Sequence, residues 1–163
     1  MRSCFAWAAA LLVVACGSEP AGPPEIAYAL EECDFCRMII SQEAHAAAVV
    51  GPNGSSWAFD DLGCLLAARE RWKSDGARVW VHDVESLEWL EAEEAVFVRQ
   101  DRGTTPMGSG LVALATREQA IQRVADEDAI HDWQELVSAD QALGGFMDHD
   151  TDHDTDYEEE IGR

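Results

Sequence analysis

Basic residues are scarce: 11 Lys and Arg stand against 32 Asp and Glu, for a formal net charge of −21. A surface of that sign repels phosphate, which argues against nucleic acid and anionic lipid headgroups as partners. The chain also lacks a long apolar run near its start. Phe5 to Val14 reaches roughly half of the ~20 residues that a spanning helix needs. Thiols are few, five in all, and their positions carry more information than their number.

The short run follows Arg2 and ends in Val13-Val14-Ala15-Cys16, with Gly17-Ser18 next. A basic residue, a short apolar stretch and a small-residue boundary form the pattern of a secretory signal over residues 1–15. The small residue before Cys16 resembles a bacterial lipobox, in which the cysteine becomes a lipidated N-terminus. Residues 16–30, rich in proline and glycine at their start, read as a flexible tether. Gly17 and Ser18 lack the aspartate that retains many lipoproteins in the inner membrane, so the expected location is periplasm-facing, with outer-membrane attachment preferred.

With Cys4 in the signal and Cys16 used for lipid, Cys33, Cys36 and Cys64 remain. Three thiols cannot all pair within one chain. In an oxidising compartment the odd one points to an intermolecular bond, a reactive group or a metal ligand. A Cys33–Cys36 disulfide in the metal-free protein would need reduction before loading.

The remainder alternates and turns like a mixed α/β protein. Ala46 to Val50 reads as a strand, Gly51-Pro52-Asn53-Gly54 as a turn and Ser56 to Asp60 as the returning strand. Asp61 is placed to cap a helix with Leu62, Leu65, Leu66, Ala68 and Trp72 at helical spacing, and Arg78 to Val84 alternates as a strand. A second pass follows, with Ala95 to Val98 and Leu111 to Ala115 as strands and Thr116 to Asp126 as a helix capped at Thr116, with Glu118-Gln119 in its first turn. The expected fold is α/β (α+β), two small β-β-α(-β) units over about 31–86 and 87–143. The run 144–163, MDHDTDHDTDYEEE at its centre, is too acidic to bury and is expected to be a disordered solubilising tail.

Soft sulfur marks the chemistry. Cys33-Asp34-Phe35-Cys36-Arg37-Met38 places two thiols and a thioether within one short segment, and Met107 lies in Thr105-Pro106-Met107-Gly108-Ser109-Gly110. A thiolate with thioethers suits Cu(I) and rejects hard cations. If the segment is extended, Cys36 and Met38 point the same way and grip one ion, with Cys33 at the edge and Met107 as the further donor. Cys64 reads as a buried apolar residue, and His45 and His82 as surface or core histidines, though either is a possible third ligand. Cys-x-x-Cys also occurs in thiol–disulfide oxidoreductases, and Cys33, Cys36, Cys64 and a histidine would make a structural zinc site. Met38 and the Met107 loop have no task in the redox reading.

Three segments in order, Cys33 to Met38, Phe59-Asp60-Asp61-Leu62-Gly63-Cys64 and Thr105 to Ala113, together resemble the NosL family. The resemblance implies a periplasmic copper-chaperone lipoprotein, not an enzyme, with two α/β units similar to the organomercurial lyase fold. It implies Cu(I) held by Cys36 and Met38 of the Cys-x-Met pattern and by Met107. The implied partner is nitrous-oxide reductase, reached through its membrane-associated assembly machinery. Arg37 stands where many members have glycine, and the His/Asp tail is no part of the pattern.

Overall fold

The computed structural model describes residues 22–142, apart from 75 and 102. The signal run, Cys16 and the acidic tail therefore lie outside the described residues. Among these, no helix is long and apolar enough to cross a membrane.

The first unit begins with β1 (Ala47–Val50) and β2 (Ser56–Phe59), an antiparallel hairpin pairing Val50 with Ser56. Its turn is closed by the Asn53 carboxamide, whose Oδ1 accepts from the Ser55 amide and hydroxyl, and Gly54 takes φ +82°. Glycine reaches that left-handed region without a Cβ clash. Two short helices follow, α1 (Leu62–Ala67) and α2 (Arg69–Trp72), broken at Ala68. Next come β3 (Arg78–His82) and β4 (Trp89–Glu91), giving a sheet of order β2-β1-β3-β4. All four β1 residues are buried, as an interior strand covered on both faces requires.

The second unit repeats the connectivity. β5 (Val96–Arg99) and β6 (Leu111–Leu114) form a hairpin, α3 (Arg117–Ile121) follows, and β7 (Ile130–His131) returns to the far side of β5, giving the order β6-β5-β7. In both units the third strand pairs antiparallel with the first strand of the hairpin. The closing helix is α4 (Trp133–Ala142). The sequence expectation of two β-β-α(-β) units in a mixed α/β fold is met.

Alternation along β5 and β6 splits the core. Phe97, Leu111 and Ala113 join the main core with Val49, Phe59, Leu65 and Val81, while Val98, Val112 and Leu114 face Ala120 and Ile130 in a smaller cluster. Successive strand residues point to opposite faces, so one hairpin serves both cores. Each fully buried Leu, Val or Phe contributes about 1.5–3 kcal/mol. A parallel bridge between Asp83 and Ala113, with the Val84 amide on the Ala113 carbonyl at 3.0 Å, joins the two sheets.

One helix is shorter than its sequence pattern predicts. The Thr116 capping box forms, with Thr116 Oγ1 accepting from the Gln119 amide and the Gln119 side chain accepting from the Thr116 amide. The helix nevertheless ends at Ile121 and not at Asp126. Ala120 is its one buried residue, Arg123 is drawn to Glu85 at 3.0 Å, and Asp126 caps a separate 3-10 turn over Glu127–Ala129. With so little apolar face to bury, nothing extends it.

Candidate metal centre

Residues 27–41 form a compact loop pinned at several points. The Tyr28 hydroxyl meets His82 Nε2 at 2.9 Å, and the other ring nitrogen of His82 lies 2.8 Å from the Leu87 carbonyl. That carbonyl only accepts, so Nδ1 carries the proton and Nε2 accepts from Tyr28. Asp34 is fastened to β2 by a reciprocal pair, its amide to the Ala58 carbonyl at 2.9 Å and the Ala58 amide to its carboxylate at 2.8 Å. Arg71 of α2 donates to the Asp34 carbonyl at 3.0 Å.

Between these anchors the chain makes a tight turn. The Arg37 amide donates to the Cys33 carbonyl at 3.0 Å, the Cys33 amide to the Met38 carbonyl at 2.7 Å, and Arg37 takes φ +66°. This is the geometry that ends a helical turn in a left-handed residue, a place where glycine is favoured. The segment is thus not extended, and the same-side argument for Cys36 and Met38 does not apply to it. Met38 leaves the turn 55% exposed, and Ile39 beside it bridges to Glu32.

The turn delivers its thiols to α1. Cys33 and Cys64 are fully buried, Cys36 is half-buried, and the three sulfurs lie within 4.8 Å of one another. Cys33, expected at the edge, is instead sealed in the interior, because the turn directs it toward the helix. Cys64 is buried as expected, and its thiol completes a triangle that spacing alone did not reveal. The signal available was the odd count of thiols left when Cys4 and Cys16 are set aside.

The three thiols share their protons unequally. Cys33 falls to about 5, chiefly because Cys64 donates a hydrogen bond to it, against the opposing effect of burial. Amides of Asp60, Cys36 and Phe35 also point at its sulfur. Cys64 is pushed far up by that same hydrogen bond and by burial, and Cys36 is raised mainly by burial. The arrangement thus favours the thiolate at Cys33 over its two neighbours, and a thiolate is the form that binds metal.

Met107 reaches this region through a buried carboxylate. Asp61, fully buried, caps α1 by accepting from the Gly63 amide at 2.6 Å on Oδ1. Its Oδ2 accepts from the Thr105 hydroxyl at 2.6 Å and from the Met107 amide at 3.1 Å. One side chain therefore ties the 104–110 loop to the N-terminus of the helix that carries Cys64. Met107 packs partly buried against the main core. The loop is tightened further by Ser109, buried, and by Gly110 at φ +68°. Neither Asp61 nor Thr105 was singled out for this role from the sequence.

Among the described residues, no histidine joins the three thiols in the sulfur cluster. Both nitrogens of His82 are engaged by Tyr28 and Leu87. His45, half-buried, keeps an unpartnered Nδ1, and burial lowers its pKa.

The NosL family model matches residues 27–130, which is more than half of the chain and contains the turn, α1 and the Met107 loop. This chain belongs to the NosL family. A solved relative is the crystal structure of the copper chaperone NosL from Shewanella denitrificans, 22% identical, with a TM-score of 0.53 over 72% of this chain and 99% of that one. The likeness shows that the two-unit α/β arrangement is a NosL fold. No curated protein matches the chain.

Proposed function

We propose that this NosL-family protein carries Cu(I) and hands it to a copper-accepting protein by ligand exchange, without catalysing a reaction. The observation that carries this reading is the cluster of Cys33, Cys36 and Cys64 sulfurs within 4.8 Å, one of them partly open to solvent. Three soft donors with one accessible edge suit a monovalent soft ion that must be both held and released. Membership of the family and a fold shared with a protein described as a copper chaperone support it.

In this reading Cys36 and Cys33 bind the ion, and Met38 and Met107 supply thioether donors on its open side. An incoming acceptor adds its own sulfur or imidazole at Cys36 before the carrier's donors leave, so free Cu(I) is not released. The acidic body favours a basic docking face. Nitrous-oxide reductase, approached through its assembly machinery, is the proposed acceptor. Lipidation at Cys16 would hold the carrier at a membrane facing the periplasm, the outer one preferred.

The test is anaerobic titration of the reduced protein with Cu(I) and Zn(II) against competing chelators, repeated for Cys36→Ser, Met38→Ala and Met107→Ala. Tight Cu(I) binding that weakens in all three variants, with Zn(II) bound poorly, is the expected result. Preferred Zn(II) binding, or disulfide-reductase turnover with Cu(I) affinity unchanged in the variants, would overturn it.

A further inference from the structure

The three thiols are not equivalent in reach. Cys33 and Cys64 have no exposed surface, whereas Cys36 is half-buried. The two sealed sulfurs and that of Cys36 lie within 4.8 Å of one another. An external reagent can therefore meet Cys36 alone, with the two sealed thiols behind it.

We infer that Cys33 and Cys64 form a buried dithiol–disulfide couple that is oxidised by small organic disulfides through Cys36. Cys36, the thiol within reach, loses its proton to solvent and attacks the external disulfide; one organic thiolate leaves and takes up a proton, and Cys36 carries a mixed disulfide. Cys33 then attacks Cys36 Sγ and the second organic thiol departs with a proton. Cys64 finally attacks Cys33 Sγ, and Cys36 is released as a free thiol. Two protein thiols have been oxidised and one external disulfide has been reduced to two thiols.

The end point follows from access and loop length. A Cys33–Cys36 bond would close a four-residue ring with one sulfur still facing solvent, open to attack by any thiol. A Cys33–Cys64 bond would close a loop of about 30 residues, which restricts the unfolded chain far more, and no outside thiol can reach it. Cys36 stays free, two residues before Met38 in the chain. The proposed ligand set would then lose Cys33 and keep Cys36 with the thioethers, a weaker Cu(I) holder. This last consequence rests on the copper reading; the disulfide pathway does not.

The test uses the copper-free, reduced, full chain, equilibrated anaerobically with glutathione disulfide, quenched and alkylated. A protease cutting before aspartate separates Cys33 from Cys36 at Asp34 and frees Cys64 at Asp61, so each partner is identified by mass. Expected are a transient glutathione adduct on Cys36, then a Cys33–Cys64 link with Cys36 alkylated. In Cys36→Ser, the Cys33–Cys64 link should be lost unless the protein is first unfolded. A final Cys33–Cys36 link, a lasting Cys36 adduct or unhindered oxidation of Cys36→Ser would overturn the inference. Cu(I) titration of both forms separates the two claims. Weaker but retained binding after oxidation supports the change in ligand set, and equal binding before and after contradicts it. Absence of binding in the reduced form sinks the carrier reading while the mapped link stands.

Discussion

Asp61→Asn probes the connection between the two halves of the site with little change of shape. In the native protein Oδ1 caps α1 and Oδ2 accepts from Thr105 and Met107. An asparagine keeps one acceptor and turns the other into a donor. If its oxygen stays on Gly63, the new NH2 faces the Met107 amide, two donors with no acceptor between them. Thr105 can redirect its hydrogen to Ser109 Oγ, already 3.3 Å away, so its loss is partly recovered. A buried donor left unpaired costs about 1–3 kcal/mol, and losing the charge-assisted character of the remaining bonds adds to it. We expect destabilisation of about 2–3 kcal/mol, equivalent to roughly 30- to 150-fold in the folding constant. Urea denaturation reads the total. Amide hydrogen exchange localises it, because the Met107 amide should lose protection while those of β1 and β3 exchange as the global stability dictates. A loss below about 0.5 kcal/mol, the scatter of ordinary surface changes, with Met107 protection intact would refute the role assigned to Asp61.

Three further outcomes follow from the same structure. Gly110→Ala would place a Cβ 2.4 Å from the Gln100 carbonyl oxygen at φ +68°, so it should cost about 2–4 kcal/mol in denaturant midpoint, within the range for backbone strain and overpacking. Arg37→Gly should leave stability unchanged or raise it by up to about 1 kcal/mol, since glycine relieves the left-handed conformation; the Glu32 ion pair it removes is exposed on both sides and worth little. Burial holds His82 below its ordinary pKa, so between that ordinary value of ~6.5 and its lower folded value the unfolded chain binds the extra proton. Stability should therefore fall as pH drops below about 6.5, with His45 adding in the same sense, and the slope of denaturation midpoint against pH should flatten in His82→Gln.

The parts of the fold that local chemistry dictates were visible in the chain. The Gly51-Pro52-Asn53-Gly54 turn, the Asp61 cap and the Thr116 capping box each form where the sequence places them. β4 and β7 were not visible, because strands of three and two residues are too short to show alternation and exist only by pairing with β3 and β5. α4 had a readable start: Asp132 and Glu135 exchange side-chain to backbone hydrogen bonds at 2.8 and 3.1 Å, and Trp133, Leu136 and Val137 sit at helical spacing. At the site, the sulfur donors were legible by type but not by placement. Whether Cys33 points in or out depends on the left-handed Arg37, and the approach of the 104–110 loop depends on a carboxylate more than forty residues away in sequence.

Copper K-edge X-ray absorption of the reduced protein loaded anaerobically with one equivalent of Cu(I) addresses the central claim most directly. The account predicts a low-coordinate ion with only sulfur in its first shell, and a changed spectrum in Cys36→Ser. A first shell of nitrogen or oxygen, or a spectrum indifferent to the loss of Cys36, would contradict it.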